Sequence, residues 1–144
     1  MDRIFDIKFS YEKEMRDKVI KIFSERQGGQ SSFSVFSQYW QCFAWAAAIG
    51  YLRCDPRPLT GALADKAFNL NTMINNNGEK DAKALLCMCI AKAGTLDILK
   101  DPEAAIAQIN EYANAGLHYI LEEMQDKPVN NDSLWVKEEI LSRP

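Results

Sequence analysis

His118 is the single histidine of this 144-residue chain, so any proton-transfer chemistry based on imidazole has to pass through it. It falls in the run INEYANAGLHYIL (Ile109–Leu121), with Glu111, Asn114 and Glu122 at helical spacing around it. Nine residues separate it from Ile109, which puts it about 180° from that apolar position on a helix. A base oriented by Glu122 is the chemistry this spacing suggests. The plainer reading is a surface histidine with helical neighbours, because no Ser or Cys nucleophile is paired with it. The four cysteines are Cys42, Cys54, Cys87 and Cys89. None has the two-residue spacing of a zinc knuckle. Cys87 and Cys89 point about 200° apart on a helix and cannot share a metal. They read as free thiols among apolar neighbours. Glu122-Glu123 and Glu138-Glu139 are adjacent surface carboxylates, not the Glu-x-x-His pattern of a carboxylate metal site. Gln27–Ser34 is glycine-containing but lacks the Lys and the glycine spacing of a phosphate loop. The residues thus predict no catalytic site, no cofactor and no metal.

Binding candidates are clearer. Arg53 and Arg57 project from RCDPRP (Arg53–Pro58), a stretch whose two prolines exclude helix. With Lys66 they form the best basic spot for a phosphate or a partner. Trp40, Trp45 and Tyr51 are aromatics of one apolar segment and the candidate lining of a ligand pocket. Trp135, near the C-terminus, is a candidate partner contact.

The elements that must position these residues are helical. Ser10 reads as the N-cap of a helix from Tyr11 to about Glu25. Tyr11, Met15, Val19, Ile22 and Phe23 form its apolar face, and Glu12, Lys13, Arg16, Asp17, Lys18 and Lys21 its solvated one. Phe36–Leu52 is the central helix, rich in Ala44, Ala46, Ala47, Ala48 and Gly50. Ala62–Leu70 predicts a helix with Leu63, Ala67 and Leu70 inward, stopped by Asn75–Gly78. Glu79–Ala93 is helical and closed by Gly94. Asp101-Pro102-Glu103 starts a long helix to about Gln125. Its Ala113 and Gly116 invite close crossing, since Gly is otherwise unfavourable there by roughly 1 kcal/mol. The segment before Ser10 reads as irregular. The fold expected is all-α, a compact orthogonal or irregular helical bundle of about five to six helices. Residues 1–127 form the domain, and 128–144 a linker and short last helix packing on that domain or on a partner.

Composition narrows the function classes. The formal net charge is −3. Residues 1–72 carry 10 Lys/Arg and 8 Asp/Glu, and residues 73–144 carry 7 and 12. The mildly basic N-terminal half is no strong nucleic-acid footprint. The longest apolar stretch, Cys42–Tyr51, is too short to span a membrane. The first fifteen residues carry charges throughout and have no signal-peptide core. A cytoplasmic location follows as the expectation.

Three segments carry a family resemblance: AAAIGY (Ala46–Tyr51), IAKAGTLDILKDPE (Ile90–Glu103) and INEYANAGLHYIL (Ile109–Leu121). Together they resemble the small accessory proteins of bacterial Dnd systems, which carry out DNA phosphorothioation and restriction against phage. These motifs are structural, so the resemblance transfers no site residue. It implies a defence-associated role beside proteins of a DNA-modification or restriction complex, with DNA contacted indirectly. The leading reading is therefore a non-enzymatic accessory or adaptor subunit. Two alternatives stand beside it: weak DNA binding through Arg53, Arg57 and Lys66, and a small-molecule or nucleotide sensor built on Trp40, Trp45 and Tyr51. Self-association into a homo-oligomer is compatible with each.

Overall fold

In the computed structural model the described residues are 2–24, 35–65 and 67–126. The fold is all-α, and among these residues β-pairing is limited to two isolated bridges, Glu12 with Leu63 and Ser24 with Phe36. The helices are α1 (Lys13–Met15), a π turn (Arg16–Ile20), α2 (Lys21–Phe23), α3 (Tyr39–Arg53), α4 (Leu70–Asn75), α5 (Glu79–Ala93) and α6 (Pro102–Asp126). Short 3-10 helices occupy Asp2–Phe5 and Leu96–Lys100. No described helix is long and apolar enough to cross a membrane.

The packing centres on α3 against α6, the most extensive helix pair. The small residues foreseen at their crossing are what permits it. A Cβ on Gly116 would meet the Ala46 carbonyl carbon at 2.6 Å and its Cα at 3.0 Å. A Cβ on Gly50 would meet the Tyr112 carbonyl carbon at 2.8 Å. Both obstacles are backbone, which cannot swing aside as a side chain would. Around this seam, Phe9, Tyr11, Phe43 and Phe68 stack into an aromatic core, with ring centroids 4.9–5.9 Å apart. The start of α6 follows its sequence signal: Pro102 is its first residue, and the Ala104 N–H donates to Asp101 Oδ1 at 3.3 Å. Gly94 closes α5 in the left-handed region at φ 76°, where a side chain would be strained.

Two helical expectations are corrected. Residues 62–65 and 67–69 are not helical. Their backbone pairs instead with the N-terminal segment: Phe9 N–H donates to Phe68 O, Lys13 N–H to Ala62 O and Ala64 N–H to Tyr11 O, at 2.8–2.9 Å. These long-range bonds outweigh the weak helical pattern there, and they leave Leu63 48% exposed rather than inward. Helix α4 begins only at Leu70, where Asn69 and Thr72 form a reciprocal capping box. The first helix also differs. It starts at Lys13, not Tyr11, and Ser10 is no cap; its N–H donates to Asn110 Oδ1 on α6 at 3.0 Å. Residues 8–12 are pulled into extended conformation by the same pairing, which carries Glu12 away from a solvated helix face. The linker and last helix expected at 128–144 lie outside the described residues.

Candidate functional site

Glu12 is 4% exposed, and a carboxylate so placed must be satisfied on both oxygens. His118 Nε2 lies 2.8 Å from Glu12 Oε1. Thr60 donates its N–H to Oε2 at 2.8 Å, and Asn114 Nδ2 approaches the same oxygen at 3.3 Å. Burial pushes the Glu12 carboxyl up, but the Thr60 N–H, His118 and Asn114 outweigh it and hold it below its ordinary range. An ionised carboxylate only accepts, so the proton on this contact belongs to Nε2 of the imidazole. The amide of Asn114, itself fully buried, also donates toward the carbonyls of Arg57 and Pro58, each at 3.2 Å. One node thus joins the N-terminal segment, the loop after α3 and the middle of α6. The surface reading of His118 is corrected here: its side chain is 18% exposed and paired, through Glu12 rather than Glu122.

The reason is visible along α6. Residues 112–117 are buried on every side, because loop 54–65 and the N-terminal segment cover the face opposite α3. A pairing between residues 106 apart in sequence leaves no trace in helical spacing. The only local hint was an unusual one, an Asn flanked by alanines in an otherwise apolar run.

Beside the node lies a pocket of about 170 Å³ lined by Cys54, Asp55, Arg57, Ala115, His118, Tyr119 and Glu122. Arg57 is anchored through its main chain: its N–H donates to Glu111 O at 3.1 Å, and its carbonyl accepts from Asn114. Arg53 reaches across from the end of α3 to the Tyr119 hydroxyl at 3.4 Å. The Cys54 thiol is pushed up by burial and by the nearby Glu122 and Asp55, which disfavours a reactive thiolate. The structure therefore brings Arg57 into one pocket with His118, and Arg53 to the Tyr119 hydroxyl beside it. Lys66 and Trp135 lie outside the described residues.

The aromatic trio is not assembled into one pocket. Trp40 is buried and donates its indole N–H to Gln38 Oε1 at 2.8 Å. Trp45 packs against Phe23 and Phe36 with centroids at 6.5 and 5.5 Å. Tyr51 stacks edge-on with Tyr112 at 5.4 Å. Trp45 alone of the three lines the largest of the described cavities, about 460 Å³ between α3 and α5. Phe36, Ala44, Ala48, Leu85 and Met88 supply the apolar part of that groove, with Ser37, Gln41 and Asp81 among its polar lining. No group of three or more His, Cys, Asp or Glu among the described residues is arranged to hold a metal ion.

Residues 15–139 match the family model described as DNA sulphur modification system-associated protein 4. No curated protein and no solved structure matches the chain.

Proposed function

The chain belongs to the DNA sulphur modification system-associated protein 4 family, and on that premise we propose that it is a non-enzymatic accessory subunit, an adaptor for the proteins that modify or restrict DNA in such a system. The family match across most of the chain carries this reading. The groove between α3 and α5 supports it: an apolar floor with polar residues beside it is the anatomy of a protein interface. The commitment of Glu12 and His118 to a node tying three segments together also fits a scaffold. A place beside DNA-modifying proteins supports a cytoplasmic location for the subunit.

The test is capture of tagged protein from cells carrying the intact system, compared with Ala84→Arg. Ala84 is exposed and lines the groove, so the change should alter folding stability by less than about 0.5 kcal/mol. Recovery of a partner of the same system by the parent chain, lost with Ala84→Arg, is the expected result. Recovery of none, with the other proteins of the system present and folded, refutes the adaptor reading.

Direct DNA contact through Arg53 and Arg57 is the second reading. It is favoured by the Arg57 guanidinium, which makes no hydrogen bond or ion pair among the described residues. Asp55 and Glu122 beside it oppose phosphate binding. A gel-shift series at low salt decides it, since backbone-driven binding falls steeply as salt rises.

A further inference from the structure

We propose that the pocket between the end of α3 and α6 is a binding site for a small protonated oxyanion of the phosphate class, with Arg57, His118 and Tyr119 as its ligands. The first observation concerns what is fixed and what is free. Among the described arginines, Arg3 pairs with Glu103 and Arg16 with Asp17, and Arg53 reaches the Tyr119 hydroxyl. Arg57 is held at both its N–H and its carbonyl, yet its guanidinium is uncommitted among the described residues. With its backbone already anchored, only the Arg57 side chain has to be ordered when an anion arrives.

The second observation is the contact between His118 Nε2 and Glu12. The ionised Glu12 fixes the proton on Nε2. Nδ1 has no hydrogen-bond partner among the described residues, so in the neutral ring it is an acceptor awaiting a donor. Tyr119 has the complementary role: its oxygen accepts from Arg53 at 3.4 Å, which leaves its own O–H to donate. The pocket therefore presents donors from Arg57 and Tyr119 and an acceptor at Nδ1. Inorganic phosphate near neutral pH matches that set, with P–O⁻ for the donors and P–OH for Nδ1. At about 170 Å³ the space admits a tetrahedral ion but not a nucleoside. Asp55 and Glu122 border the same space and weaken the binding of any anion, which fixes the sign of one arm of the test.

The inference is independent of the adaptor reading. His118 is the single histidine, so its ring nitrogens, and with them the protonation of each, can be followed by ¹⁵N NMR without ambiguity while inorganic phosphate or sulfate is added at about pH 8. Phosphate should shift the Nδ1 signal saturably. Sulfate has no proton to offer Nδ1 and should bind at least roughly tenfold more weakly, as an analogue lacking a required donor does. Arg57→Gln should weaken phosphate binding at least tenfold with the Nε2 signal unchanged, which shows the node intact. Glu122→Gln should tighten it several-fold. No saturable shift with phosphate, equal binding of sulfate, or weakening by Glu122→Gln would overturn the assignment.

Discussion

Replacing Glu12 by Ala removes one side chain and orphans two donors at once, the Thr60 N–H and the His118 Nε2–H, while the Asn114 amide keeps the Arg57 and Pro58 carbonyls. Each buried donor left unpaired costs about 1–3 kcal/mol, so the two together cost about 2–6 kcal/mol. For a chain of this length each kcal/mol moves the thermal midpoint by about 2–4 °C, so Glu12→Ala should lower it by roughly 4–24 °C. His118→Ala is milder, about 1–3 kcal/mol, because the Glu12 carboxylate keeps Thr60 and Asn114. The double mutant should cost less than the sum of the two. The coupling energy expected for a charge-assisted bond in such shelter is about 1–3 kcal/mol. Urea denaturation of the four proteins completes the cycle, and amide exchange at Thr60 should accelerate in Glu12→Ala. Additive effects within about 0.5 kcal/mol would mean that the two side chains do not interact, and the node as described would be wrong.

Three further outcomes follow from the same geometry. Gly116→Ala should destabilise by about 2 kcal/mol, an overpacking cost of about 3 offset by roughly 1 of helix propensity; a neutral or stabilising result in thermal melts would show that α3 and α6 do not cross closely. The Glu12 carboxyl is held below its unfolded value, so its stabilising contribution is present above that value and lost as pH falls through the folded one. Glu12→Gln should therefore flatten the acid limb of the stability profile below about pH 4, and an unchanged slope would contradict the assignment. Burial pushes the thiols of Cys42 and Cys89 up, Cys89 to about 11, while Cys87 is exposed. Native alkylation at about pH 8 read by mass spectrometry should label Cys87 and spare the other two, whereas labelling of Cys42 without unfolding would refute its burial.

The long helices were legible because each carries its own period and punctuation. Asp101-Pro102, Gly94 and the small residues at Gly50 and Gly116 all behave as local chemistry says they should. Legibility failed where the chain pairs with distant chain. Ala62–Leu70 has the composition of a weak helix, yet Phe9, Tyr11 and Lys13 pair with the backbone of Phe68, Ala64 and Ala62, and helix begins only at Leu70. His118 and Glu12 were each assigned to a solvated face on the assumption that a helix has one dry side. α6 is enclosed through its middle, so that assumption does not apply there. The two prolines fix Arg57 in a loop as local chemistry says, whereas Arg53 closes α3 as its last residue instead of opening that loop. The approach of Arg57 to His118 required knowing what covers α6.

The node has a consequence for how the protein is made. Glu12 meets Thr60 48 residues later, but its set of partners is complete only when Asn114 and His118 exist, 102 and 106 residues later. At about 5–20 residues per second, the ribosome takes roughly 5–20 s to supply them. Through that interval Ile4, Phe9 and Tyr11, all buried in the finished fold, have no α6 to cover them. This segment is therefore made well before the helix that locks it, and its apolar residues stay uncovered by α6 through that interval.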